Sequence, residues 1–229
     1  RSPTAGRAFF GEPLKRIIWL GYSLIGKGGF GPSFFCPYFS DMMTVEITGT
    51  PDLDSIITVA QLKEHLRVDH TDEDTLIEAY RDAAIAWVED YCNTRLGDVT
   101  AVGYIDFFYN VRLPIGPVNS IASVQYKDTA NATQTLATAK WWADIKTKAA
   151  RITFDSVPDL YDDTFNAVQV NMNVGYAEAD IPKPFITAIR WMVAHLYEQR
   201  QPVVAGTIAT TLPLGLYAIL NPYRVITSV

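Results

Sequence analysis

Two amphipathic stripes, far apart in the sequence, constrain the fold of this chain more than any other feature. The first opens at Thr71-Asp72-Glu73-Asp74, a capping residue followed by three carboxylates that suit the positive end of a helix dipole. Leu76, Ile77, Tyr80, Ala83, Ala84, Trp87, Val88, Tyr91 and Cys92 then recur at steps of three and four. That spacing predicts one helix over 72–95, ending near Gly97. The second stripe follows Pro182 and Pro184, residues suited to a first turn, and sets Phe185, Ile186, Ile189, Met192, Val193, Leu196 and Tyr197 on one face of a helix over 184–200. Neither helix can bury its stripe alone, so the two must meet across whatever lies between them.

What lies between has a different period. The runs 104–109, 118–126, 151–154 and 168–174 are short, β-prone and bounded by Gly, Pro, Asn or Asp. The last alternates, with Val168, Val170, Met172 and Val174 on one face and Gln169, Asn171 and Asn173 on the other. Val118, Val124, Tyr126, Ile152 and Phe154 complete the expected core, and Trp141-Trp142 is expected to close one end. Ahead of the first long helix, Thr58-Val59-Ala60-Gln61 fits a capping box and predicts a short helix over 59–67. The fold class that follows is α+β: a helical bundle with a small antiparallel β-sheet or sandwich inserted between the two long helices. Its expected parts are an N-terminal helical part at 43–101, a β insert at 102–178, the second long helix at 179–202 and a C-terminal segment at 203–229.

Residues 1–42 stand apart. They are rich in Gly, Pro and aromatics, hold no sustained helical or strand period, and carry five basic side chains against two acidic ones. They read as a non-native extension or a disordered arm, with Met42 or Met43 as the natural start. The net charge is −6 overall, so residues 43–229 carry −9. So acidic a body argues against a protein that grips phosphates through a basic surface.

The chain holds few groups from which to build a reactive site. His65, His70 and His195 have no metal-ligand spacing, and the two cysteines, Cys36 and Cys92, form neither a disulfide framework nor a metal cluster. A reducing compartment suits them. The acidic run 69–74 lacks the glycine turn and terminal glutamate of a calcium loop, and capping explains it more simply. No phosphate-binding loop or nucleophile elbow occurs in the body. No catalytic, cofactor-binding or metal site is expected. Every apolar run is interrupted before the roughly 18 residues that a membrane span requires, so the expected protein is soluble.

The order of these signals resembles a known family. Residues 57–69 (ITVAQLKEHLRVD), 71–77 (TDEDTLI), Ala83-Ala84 and Val88-Glu89-Asp90-Tyr91 closely resemble the start of the head–tail connector (adaptor) proteins of tailed phages. Residues 114–128 (PIGPVNSIASVQYKD) look like that family's proline-led strand pair. Val174-Gly175-Tyr176, Ile181-Pro182, Ala188-Ile189 and Leu196-Tyr197-Glu198-Gln199-Arg200 resemble its second long helix, and 212–224 its terminal motif. The likeness spans 57–224, and the length of the β insert is similar to the larger branch, including versions in prophages and gene transfer agents.

The resemblance implies a structural protein of the virion neck, assembled in the host cytoplasm. It implies a homo-oligomeric ring of twelve copies beneath the portal protein, a downstream neck or tail-completion protein below it, and double-stranded DNA passing through without sequence recognition. It also favours an attachment role towards the portal or the adjacent subunit for the C-terminal segment, where Leu216 and Leu220 would be apolar anchors and Tyr223 and Arg224 polar contacts at the edge. Docking of that segment on its own chain is the alternative. Two other classes remain open, a generic oligomeric binding module and a small-molecule enzyme; the enzyme would need a concave pocket with convergent titratable groups.

Because residues 1–42 lack the periodicity to add a packed element, a chain starting at Met43 should unfold at the same midpoint as the full chain. Thermal unfolding followed by circular dichroism measures this, and a large drop would show that the arm is structural.

Overall fold

Both stripes form helices in the computed structural model, which describes residues 43–161, 164–199 and 214–226. The expectations for residues 1–42 and 203–213, and for a helix end at residue 200, lie outside these described residues. The chain opens with a short strand, β1 (Thr44–Ile47), followed by a single helical turn, α1 (Leu53–Ile56). Helix α2 (Val59–Leu66) starts at the expected capping box: the Gln61 amide donates to Thr58 Oγ1 at 3.2 Å, and the Thr58 amide donates to Gln61 Oε1 at 3.1 Å.

Helix α3 spans Asp74–Cys92, shorter than the expected 72–95. Its N-cap is Glu73, whose side chain makes no capping bond; that carboxylate instead accepts from the Tyr197 hydroxyl. The helix stops at Asn93 rather than near Gly97. Asn93 is left-handed at φ 52°, a conformation asparagine tolerates, and its amide donates to Asp90 O while Thr94 donates to Glu89 O. The buried stripe is Ile77, Arg81, Ala84, Ile85, Val88, Glu89 and Cys92. It is rotated from the predicted one, so Ala83 is exposed, and Leu76, Tyr80, Trp87 and Tyr91 flank it half-buried.

An arginine lies on that stripe. Arg81 is only 3% exposed, and its guanidinium donates to Asp82 at 2.9 Å, to Glu78 at 3.4 Å and to Asp54 of α1. Three carboxylates compensate its loss of water and pin α1 to α3.

Helix α4 (Lys183–Glu198) buries Phe185, Ala188, Ile189, Met192 and Val193 against α3, as the second stripe requires. Ile56, Ile57, Leu62 and Leu96 close the same core, joined by Leu216 and Leu220 of a last helix, α5 (Leu214–Leu220).

The β part is an α+β companion of two antiparallel sheets. Strands β2 (Val99–Ile105), β4 (Val118–Lys127), β5 (Thr133–Thr135) and β8 (Val168–Val174) join β1 in the order β1-β2-β8-β4-β5. Strands β3 (Val111–Arg112), β6 (Trp141–Asp144) and β7 (Arg151–Phe154) form the order β3-β7-β6. The alternating run becomes β8, central in the larger sheet, with Val168, Val170, Met172 and Val174 at most 1% exposed. Its register pairs Val99 with Val174 and Ile105 with Val168 on one side, and Val124 with Val170 on the other. The two sheets share one apolar core, since Val111, Leu113 and Ile152 pack in the same cluster as the β8 stripe.

Several details differ from the sequence reading. β1 precedes the helices yet pairs with β2, so the sheet draws a strand from outside 102–178, and β2 itself begins at Val99. The run 104–109 is strand only to Ile105; Phe107 beyond it is 64% exposed. Tyr126 and Phe154 are half-buried around Phe108, with ring centroids 5.8 and 5.2 Å from it. Trp141 packs against the core, but Trp142 is 55% exposed on the outer face of β6, because neighbours on a strand point to opposite sides.

The helical and sheet cores meet just beyond Asn93. Arg95 N donates to Gly116 O at 3.1 Å, Gly116 N to Asn93 O at 3.2 Å, Gly175 N to Pro117 O at 2.8 Å and Tyr176 N to Arg95 O at 3.1 Å. Thr94, buried, adds a 2.6 Å bond from its hydroxyl to Gly116 O. Glu89 reaches back over the helix end, accepting the Leu96 amide at 2.7 Å, with Arg95 Nη1 3.4 Å from its other oxygen. Burial, the largest influence, raises its pKa above 4.5 although the Leu96 amide and Arg95 pull the other way.

Two predictions follow from this joint. Gly175 has φ +113°, and a Cβ there would stand 1.9 Å from the Gly97 carbonyl oxygen. Gly175→Ala should therefore cost at least about 2–3 kcal/mol in denaturant unfolding. For Glu89, the folded pKa lies above the unfolded one, so its contribution to stability is full below pH 4.5 and is lost as pH rises through the raised value. Glu89→Gln keeps an acceptor for Leu96 without the charge. The unfolding free energy of the variant relative to the natural chain should rise across that pH window, and a flat difference would refute the assignment.

Candidate assembly segment

The C-terminal segment 214–226 carries the four residues singled out for attachment, and the structure places all four on one strap across α3 and α4. Leu216 and Leu220 are fully buried in the helical core, four residues apart on the inner face of α5. The two expected apolar anchors are thus covered by the chain itself. Tyr217 seals the outer side, its ring edge-on to Trp87 and Tyr91 at 5.9 and 5.2 Å, while those two stack at 5.4 Å.

After α5 the strap turns over the end of α3. Tyr91 Oη donates to Asn221 Oδ1 at 2.7 Å, and the Tyr223 ring sits 5.1 Å from that of Phe185. Arg224 lies with its guanidinium 4.7 Å above the Tyr91 ring and donates from Nε to Tyr91 O at 3.0 Å, a cation–π contact fixed by a hydrogen bond. Val225 N then donates to Cys92 O at 2.8 Å, and Asn93 Nδ2 to Val225 O at 3.0 Å. From the sheet side, Lys148 donates to Pro222 O and stands 5.6 Å above the Tyr223 ring. The strap therefore touches both cores. Gly215, Ala218, Asn221, Pro222 and Ile226 face outward.

The electrostatics under the strap are those of a closed interior. Burial pushes the Cys92 thiol up to about 11, with the Arg224 charge opposing weakly. Burial also raises Tyr176, helped by Cys92 and Tyr223. A protonated thiol in such surroundings is a packing group, not a nucleophile.

Two concavities lie elsewhere. A cleft of about 380 Å³ is bounded by Val45 and Ile47 of β1, Glu89 and Asn93 at the end of α3, Arg95 and Ile115. A groove of about 430 Å³ on the smaller sheet runs past Trp142, Arg112 and the Arg151–Asp144 ion pair. Among the described residues no group of three or more His, Cys, Asp or Glu is placed to hold a metal ion, and no helix is long and apolar enough to cross a membrane.

Sequence reasoning missed several groups that fasten these parts. Arg81 and Glu89 fall on the spacing 77-81-85-89-92, a signal that was present but masked by their charge. Lys148 and Arg95 had none, since only the fold brings them to the strap and the joint.

The family model of the phage gp6-like head-tail connector proteins matches residues 56–166, from the end of α1 to the approach to β8. No curated protein matches. Among solved structures, a chain from the neck of an empty GTA particle computed with C6 symmetry aligns at TM-score 0.66 and 21% identity, over 81% of this chain and 97% of its own. A chain from the virion of a native gene transfer agent (GTA) particle aligns at TM-score 0.67 and 20% identity with the same coverage. A chain from the neck of a native GTA particle computed with C12 symmetry gives 0.63 and 19%, again over 81% and 97%. At these identities the likeness is one of fold, and it covers nearly the whole of each of those chains. Over residues 56–166, where the capping box, α3 and the proline-led strand pair lie, this chain matches the phage gp6-like head-tail connector proteins.

Proposed function

We propose that this chain is a structural protein of the virion neck, one copy of a head–tail connector ring beneath the portal that continues the DNA channel towards the tail. The observation that carries this reading is the agreement of two independent matches. The connector family model covers 56–166, and the fold of GTA neck and virion chains covers 81% of the chain. The GTA necks computed with C6 and C12 symmetry support a homo-oligomeric ring of twelve copies. In that ring, α3 and α4 form the wall and the sheets face outward or towards a downstream neck or tail-completion protein. The C-terminal segment, with Leu216, Leu220, Tyr223 and Arg224, is the attachment element towards the portal or the adjacent copy.

The work is mechanical. Residues 43–229 carry −9, a sign that repels the phosphate backbone and lets double-stranded DNA slide without sticking. The buried network at the helix–sheet joint suits a wall that must keep its shape while cargo passes. The protein then resides in the neck, between head and tail, after assembly in the host cytoplasm, and it needs no cofactor.

Mixing the purified chain with portal protein should give a complex that co-sediments and shows closed twelve-fold rings on the portal by electron microscopy. A chain that stays monomeric beside assembled portal, and is missing from the proteins of purified particles, would overturn the reading.

A further inference from the structure

Burial of the attachment residues poses a problem: Leu216 and Leu220 are 0% exposed, so they cannot serve as anchors for another molecule while they fill their own helical core. Pulling them out would leave a hole in the buried helical cluster to which both belong. One arrangement satisfies both demands. We propose that in the assembled ring the strap 214–226 of each copy leaves its own socket and fills the same socket on the adjacent copy. The proposal rests on the ring reading above and names the partner of its attachment element: a second copy of this chain.

Three observations carry it. The socket is built from α3, α4 and Lys148, none of which belongs to the strap, so every contact can be made in trans by an identical neighbour. Those contacts are the Leu216 and Leu220 burial, the Tyr217 edge contacts, the Tyr223–Phe185 pair, Arg224 on Tyr91 and the Val225–Cys92 bond. Exchange then costs no packing, which is the usual economy of swapped elements. Next, α4 ends at Glu198 and α5 begins at Leu214. The intervening stretch sets an upper limit on the order of 50 Å, at about 3.3–3.6 Å per residue, on how far the strap can be seated from the end of α4. Finally, a closed ring is the one geometry in which exchange leaves nothing uncovered: every strap has a socket and every socket a strap. An open chain of copies would leave one apolar socket empty at its end.

The test uses two versions of the full chain, both with Cys36→Ser. One carries Tyr91→Cys and the other Tyr217→Cys, positions whose rings lie 5.2 Å apart when a strap is seated. After co-assembly, a short bis-maleimide can join these two versions only if the strap of one sits in the socket of the other. The proposal expects a two-chain product in rings and none in the dilute mixture before assembly. Trp87→Cys with Tyr217→Cys, at 5.9 Å, repeats the measurement should Tyr91→Cys fail to fold. Rings of ordinary size without the two-chain product from either pair would overturn strap exchange while leaving the ring intact, the result expected if straps stay at home or dock on the portal. Failure of the unsubstituted chain to form rings, read by sedimentation before any reagent is added, would instead sink the ring reading and the exchange with it.

Discussion

The backbone just past the last turn of α3 holds this structure together. Asn93 turns the chain through the left-handed region, and three segments fasten to the few residues around it: Gly116 from the sheet, Tyr176 at the entry to α4, and Val225 of the strap. Most of these contacts are backbone hydrogen bonds in a region sheltered from water, where an unmade bond costs about 1–3 kcal/mol. The helical core and the sheet core are each complete apolar clusters, and they are connected through this polar knot rather than by a shared apolar interface. Glu89, which accepts the Leu96 amide, and Thr94, which donates to Gly116, are buried there because the knot has backbone groups to satisfy.

Such an arrangement separates two physical tasks. Apolar burial makes each half stable, since the stripes of α3 and α4 and the alternation of β8 remove their side chains from water. Directional hydrogen bonds then set the angle between the halves, which apolar packing, being non-directional, specifies less well. In the proposed ring that angle would matter, because a small error per copy accumulates on closure.

Much of this was legible in the sequence, for reasons that differ by element. The capping box at Thr58 and the alternation of 168–174 were read correctly because both are local: side chain and backbone partners lie within a few residues of each other. The stripe of α3 was read with the wrong centre, since Ala83 was counted and Arg81 and Glu89 were not. Charge hid their burial, and only the arrival of Asp54 from α1 and of the Leu96 amide from beyond the helix makes that burial tolerable. Strands β1, β3, β5 and β6 went unread because they take their identity from the strand they pair with. The helix end at Asn93 was missed because glycine is the commoner left-handed residue, and Gly97 offered itself four positions later.

The C-terminal segment marks a different kind of limit. Leu216 and Leu220 were read as apolar anchors, and pattern alone has no term for whose surface they anchor to. A socket on the same chain and a socket on an identical neighbour place the same side chains against the same partners, so they leave the same pattern in the sequence. What distinguishes them is the connector between α4 and α5 and the symmetry of the assembly, neither of which is written as periodicity. In a free monomer the tethered strap has the highest effective concentration at its own socket. In the proposed ring a second, identical socket comes within reach, and because the contacts are equal, connector strain and ring closure would decide between them. Under the proposed exchange Leu216 and Leu220 would be covered to the same extent before and after assembly, so the contacts that close the monomer are the ones that would link copies.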